Sequence, residues 1–112
     1  MKTVDPRDYS GITLPNWLLP RTEISPGGKL LYGRIAHLYR PQRNPMITQA
    51  RLALDLGVTD RTIRSYLQEL LEHRLLHVKR PNRRIGNQYI FLEHDWMRRR
   101  FLSDRKDYSG EE

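Results

Sequence analysis

Residues 48–71, TQARLALDLGVTDRTIRSYLQELL, decide how this chain folds. They read as two short helices joined by one tight turn. Thr48 suits the cap of the first helix, because its hydroxyl can accept from an unpaired amide in the opening turn. Leu52, Ala53 and Leu56 then share one helical face. Gly57 follows directly, where a helix C-terminus needs a residue that tolerates positive φ. Val58 is a small apolar plug, and Thr59 caps the next helix. There Ile63, Tyr66, Leu67 and Leu70 recur at helical spacing, which predicts an inward face. Arg61, Thr62, Arg64, Ser65 and Gln68 fall on the outward side. Ala53 lies four residues before Gly57, with Ile63 six and Tyr66 nine after it. That spacing supplies a small residue where two helices cross, a turn glycine and two core positions.

Upstream, Ser25-Pro26 marks a helix start, with serine as cap and proline at the first helical position. Leu30, Leu31, Ile35, Leu38 and Tyr39 are expected to form the buried face of a helix over 26–39, which Pro41 stops. Residues 40–45, RPQRNP, read as a loop, and Met46-Ile47 as a very short strand. Further back, Pro15 to Leu19 can make one helical turn ended by Pro20. Trp17, Leu18 and Leu19 are then expected to pack on the core as an N-terminal clasp, a partner-binding patch being the alternative. Residues 1–11 read as a flexible polar arm.

Downstream, Arg74 stands at a turn. Leu75 to Lys79, LLHVK, and Asn87 to Leu92, NQYIFL, read as two strands around the loop PNRRIG, which has proline, asparagine and glycine turn chemistry. They predict a β-hairpin with a basic tip. From His94 to Asp107, the spacing of Trp96, Met97, Phe101 and Leu102 is compatible with a helix, interrupted by Arg98-Arg99-Arg100. Such a segment packs back on the domain, supplies a dimer contact or binds phosphate. The closing YSGEE is expected to fray. The organisation read from the chain is therefore an arm over 1–11, one domain over 12–92 and a C-terminal extension over 93–112.

Composition narrows the function. The 112 residues suffice for one domain with a modest core. With no cysteine, disulfide and thiolate chemistry are excluded. No apolar run approaches the roughly 20 residues of a membrane span, and the N-terminus lacks the apolar stretch of a signal peptide. A cytoplasmic protein is expected. Net charge is +7, and residues 29–100 hold 15 Lys/Arg against 6 Asp/Glu, so the surplus belongs to the middle of the chain. Sixteen of the 20 basic residues are arginine, the side chain suited to bidentate contacts with phosphate and guanine.

Two helices about a tight turn, the second bearing a polar arginine face, make the sequence shape of a helix-turn-helix. A hairpin placed directly after the second helix is a wing. The run TQARLALDLGVTDRTIRSYLQELLEHRLL leading into VKRPNRRIGNQYIF resembles winged helix-turn-helix domains over about residues 12–92. It is most similar to the N-terminal modules of plasmid and phage replication proteins, DnaD-like primosomal proteins among them. Related wings occur in GntR- and MarR-type regulators. The lead-in ITLPNWLL followed by ISPGGKLLYGRI also resembles the replication modules. Arg74 departs from the pattern, since many relatives carry glycine there. The expected fold class is α+β, mainly α: a three-helix core, a β-hairpin wing, an N-terminal clasp and a C-terminal helical extension.

The resemblance implies a sequence-specific double-stranded DNA-binding protein. It would act at a replication origin or a promoter of a plasmid, phage or chromosome, associated with plasmid or nucleoid. A homodimer, or contact with other replication or regulatory proteins, is the expected assembly. In major-groove docking, Arg61, Arg64 and Gln68 have the reach to read base edges, arginine pairing with guanine and glutamine with adenine. Thr59, Thr62 and Ser65 are shorter and suit phosphate or a thymine methyl. Gln49 and Arg51, at the start of the preceding helix, are expected on the DNA backbone. Arg80, Asn82, Arg83 and Arg84 in the wing would follow phosphates or enter a minor groove.

Two rivals remain open at this stage. A winged-helix adaptor would hold a protein partner and bind nucleic acid only nonspecifically. An RNA or single-strand binder would expose aromatic rings for stacking, whereas Tyr32, Tyr39, Tyr66, Tyr89 and Phe91 are expected in the core. His37, His73, His77 and His94 make no recognised metal pattern, and P-loop, dinucleotide and nucleophile-elbow motifs are missing. No enzyme activity, cofactor or metal is expected.

Overall fold

The computed structural model describes residues 1–79 and 84–97. Three α-helices and an antiparallel hairpin follow one another: α1 (Pro26–Leu38), α2 (Gln49–Leu56), α3 (Asp60–Glu72), β1 (Leu76–Lys79) and β2 (Gln88–Phe91). A single 3₁₀ turn, Pro6–Asp8, precedes them, capped by Asp5. The fold is thus α+β and mainly helical, and its order is compatible with a winged-helix topology. No helix among the described residues is long and apolar enough to cross a membrane.

The helix ends follow from local chemistry. Ser25, Thr48 and Thr59 each turn a side-chain oxygen to an amide three residues on, satisfying a donor the helix leaves unpaired. Both α2 and α3 close through a residue in the left-handed region. After α2 it is Gly57 (φ 71°), with Val58 N–H donating to the Ala53 carbonyl at 3.0 Å. After α3 it is Arg74 (φ 58°), with Leu75 N–H donating to the Leu70 carbonyl at 2.9 Å. These are Schellman closures, and at the end of α3 the residues that flank the motif, Leu70 and Leu75, are both fully buried. Arg74 therefore adopts the backbone that glycine would favour and bears the left-handed penalty of a β-carbon, about 1–2 kcal/mol, while its side chain is exposed.

The core collects Leu31, Tyr32 and Ile35 from α1, Leu52 and Ala53 from α2, and Ile63, Leu67 and Leu70 from α3, with Leu18, Ile24, Ile47, Leu75, Leu76 and Tyr89. Two expectations need correction. Leu30 is not on the buried face of α1 but 46% exposed. The inward face is centred on Leu31 and Ile35, one helical turn apart, and Leu30 lies about 100° away from it. Tyr32 flanks that face instead, edge-on to Trp17 and Phe91 at 5.6 and 5.2 Å. In the N-terminal clasp, Leu18 is buried and Trp17 packs against the core, but Leu19 is 52% exposed. The Leu19 carbonyl instead accepts from Lys29 Nζ at 2.7 Å.

The hairpin pairs Leu76 with Phe91 and Val78 with Tyr89 on its inner side, and His77 with Ile90 on its outer side. Ile47, just ahead of α2, pairs with Asn87 through two hydrogen bonds of 2.9 and 2.8 Å. The short strand expected at Met46-Ile47 is thus a one-residue bridge that ties β2 to the start of α2. Gly86 (φ 103°) makes this possible, because a β-carbon there would lie 2.5–2.8 Å from the Ile47 backbone. Asp95 to Met97 turn helically, and Trp96 packs against the core. The rest of the expected C-terminal helix, and residues 80–83 of the hairpin loop, lie outside the described residues.

The two positive-φ glycines should respond differently to alanine. Gly57→Ala meets open space and bears only the left-handed backbone penalty, about 1–2 kcal/mol. Gly86→Ala adds overlap with Ile47 and should cost about 2–4 kcal/mol, read from urea denaturation midpoints. The tyrosines give an alkaline test. Burial pushes the Tyr32 hydroxyl up to about 12 and also raises Tyr89 and Tyr39. An unfolded tyrosine ionises near 10, so the unfolded chain releases its protons first as pH rises. Stability present below pH 10 is then lost between 10 and 12, and Tyr32 alone contributes a slope of up to about 1.4 kcal/mol per pH unit. Tyr32→Phe should show a shallower alkaline loss in the same titration.

Candidate nucleic-acid interface

The outward face of α3 is set by what its inward face holds. Ile63, Leu67 and Leu70 are buried, and Tyr66 packs against the core beside Gly27 of α1. A β-carbon at Gly27 would collide with the Tyr66 ring. Three residues on, Glu69 reaches the start of α1, where Ser25 donates to it from both its backbone N–H and its hydroxyl, each at 2.7 Å. With that side occupied, Arg61, Arg64, Ser65 and Gln68 are exposed. Arg61, Arg64 and Gln68 fall at i, i+3 and i+7, one stripe along the helix.

At the head of α3, Thr59 accepts from Thr62 N–H at 3.1 Å and donates its hydroxyl proton to Thr62 Oγ1 at 3.0 Å. The Thr62 hydroxyl keeps its own proton, which is available to an outside acceptor beside the positive end of the helix. Thr62 is half-buried and Thr59 exposed. Gln49, at the first position of α2, is half-buried.

The arginines divide by partner. Arg7 pairs with Asp5, whose carboxyl it holds below the usual carboxylate range through side-chain and then backbone hydrogen bonds. Arg21 lies over the Trp96 ring at 4.7 Å, and Arg40 donates to Thr13 Oγ1 at 3.0 Å. Asp55 takes Arg34 at 2.9 Å and Arg51 more loosely at 3.6 Å. Arg51, expected to face the DNA backbone, is therefore shared with a carboxylate one turn along α2. The side chains of Arg61 and Arg64, with those of Arg43 and Arg74, make no hydrogen bond or ion pair with the described residues. Those of α3 are the guanidinium groups available on the stripe.

Arg84 is exposed in the hairpin turn and keeps contacts of its own. Arg80, Asn82 and Arg83 lie outside the described residues. Sequence reading missed the parts played by Asp55, Glu69 and Glu72. Glu72 accepts from the Gln68 amide at 2.9 Å, so the glutamine is oriented by a neighbour on its own helix. The only sequence signal for that pair was its i, i+4 spacing.

Among the described residues no group of three or more His, Cys, Asp or Glu is arranged to hold a metal ion. His94 has a local role. Its Nδ1 accepts from Trp96 N–H at 3.1 Å, so Nε2 carries the proton that meets the His73 carbonyl at 3.0 Å. The ring thereby ties the segment after β2 to the end of α3. Comparison with protein-family models, curated proteins and solved structures finds no match to this chain.

Asp55→Ala releases two guanidinium groups at once. Because the pairs are close to the surface, stability should fall by no more than about 1 kcal/mol. Retention on a polyanion such as heparin should increase, read as a higher eluting salt concentration.

Proposed function

We propose that this chain is a winged helix-turn-helix protein that binds double-stranded DNA by sequence, with α3 entering the major groove. The observation that supports this best is the exposed stripe of α3. It carries two arginines whose side chains have no partner among the described residues, on a helix whose other side is fixed against α1 and the core. Arginine presents a fork that matches guanine O6 and N7 or a phosphate, and a rigid helix places it in one register. The Thr59–Thr62 pair would meet a phosphate at the head of α3, and the hairpin would lie along the flanking backbone with Arg84. A replication origin or a promoter is the site of action this reading implies. The mechanism involves no covalent chemistry: phosphate contacts set the register and a few side chains read bases.

The test is selection of bound duplexes from a random pool, repeated with Arg64→Ala. The expected wild-type result is a defined motif. The variant should lose preference at one position, at about 1–3 kcal/mol for the best base there. Arg61→Ala and Arg64→Ala should each also lower the salt dependence of binding if they touch phosphate. Binding with no motif, collapsing in salt equally for all sequences, would instead favour an adaptor that meets DNA only through charge.

A further inference from the structure

One carboxylate serves two guanidinium groups, and it holds them unequally. Asp55 Oδ2 accepts from Arg34 Nε at 2.9 Å, a hydrogen bond that joins α2 to α1. Arg51 Nε lies 3.6 Å from the same oxygen, beyond hydrogen-bond reach, one turn back along α2. Solvent separates the groups in the same order. The side chain of Asp55 is 18% exposed and that of Arg34 26%, against 54% for Arg51. The sheltered pair is screened less by water and salt than the exposed one. Arg51 is thus the guanidinium that an incoming phosphate can take, because its departure leaves Asp55 still hydrogen-bonded to Arg34.

Without Arg34 the balance reverses. Arg51 becomes the one cation paired with Asp55 among the described residues. A sheltered carboxylate left with no partner is costly, so Arg51 is retained there. We infer that Arg34 is a positioning residue for phosphate binding: by occupying Asp55 it keeps Arg51 available to the DNA backbone, without touching DNA itself. The inference rests on the proposed DNA reading and extends it to a residue of α1 to which the sequence assigned no role.

The experiment measures the salt dependence of binding by the full chain to a defined duplex carrying its selected motif. Each phosphate contact adds about 0.9 to the slope of log affinity against log salt concentration. Arg51→Ala should lower the slope by that amount. Arg34→Ala should lower it equally, and the variant carrying both should fall no further than either alone. Two charge-neutral pairs separate positioning from net charge. Arg34→Ala with Asp55→Asn should regain the wild-type slope, since the carboxylate that captures Arg51 is gone. Arg51→Ala with Asp55→Asn carries the same net charge and should stay low. Arg34→Lys, which keeps a cation beside Asp55, should stay near the wild type. Circular dichroism checks that each variant is folded, and if Arg34→Ala is not, the two charge-neutral pairs decide.

Equal slopes in the two charge-neutral pairs, additive losses when Arg34→Ala and Arg51→Ala are combined, or a slope unchanged by Arg51→Ala would overturn the inference and leave the DNA reading standing. Absence of any selected motif would remove the DNA reading itself.

Discussion

The contact on which the rest depends is the carboxylate of Glu69 set against the first turn of α1. Ser25 gives it two hydrogen bonds and at the same time accepts from Gly28 N–H at 3.1 Å. One acidic side chain from α3 thus holds the residue that caps α1. The approach is possible because residues 27 and 28 are glycines. A β-carbon at Gly28 would come within 3.0 Å of Glu69 Oε1 and 2.9 Å of Ile24, and one at Gly27 would strike Tyr66. Hydrogen bonds to a charged group contribute about 1.5–3 kcal/mol, similar to burying one large apolar side chain. Their directionality matters more than their size. Apolar packing of Ile63, Leu67 and Leu70 tolerates some rotation of α3, whereas two hydrogen bonds at position 69 do not. That rotation decides where Arg61, Arg64 and Gln68 point.

Much of this was legible in the sequence where the cause is local. Thr48, Thr59 and Ser25 cap helices, and Gly57 closes one, because the chemistry of a helix end is satisfied within a few residues. Tyr89 and Phe91 of NQYIFL, two residues apart on a strand, were likewise expected in the core, and Tyr89 is buried with Phe91 packed against it. What sequence reading missed depends on partners far along the chain. Nothing in SPGG says that its glycines answer a tyrosine and a glutamate some forty residues later. Glu69 reads as one more polar residue on an amphipathic helix. Leu30 was misjudged for a related reason. Several apolar residues in a row make more than one face plausible, and the choice was made by Trp17 and Phe91 closing on Tyr32.

The candidate site was legible in its composition and less so in its availability. Counting arginines treats all of them as equivalent, and the structure separates them. Arg21, Arg34 and Arg40 join distant parts of the chain, through Trp96, Asp55 and Thr13 respectively. An arginine so engaged acts on packing as much as on charge. Arg51 is intermediate, since an ion pair at 3.6 Å on the surface contributes little and is readily exchanged for another anion. The surplus of positive charge therefore overstates how many guanidinium groups face outward without a partner, and those of α3 gain in weight as a result.

The same partition separates the ways a basic domain can meet another molecule. Stacking on unpaired bases needs exposed rings, and here Tyr32 and Tyr89 are buried while Trp17, Tyr39, Tyr66, Phe91 and Trp96 pack against the core. Tyr9, in the N-terminal segment, is the large exposed aromatic among the described residues. A protein partner is usually anchored by a few apolar or aromatic side chains at the centre of a patch. On α3 the stripe of Arg61, Arg64 and Gln68 contains none, and Leu54, the most exposed leucine, lies on α2. Single exposed leucines of that kind are ordinary on a protein surface. What α3 offers is directional hydrogen bonding from a helix whose rotation is fixed. Such a surface discriminates little by burial and much by the pattern of donors and acceptors it meets, and duplex DNA presents a pattern of that kind along its major groove.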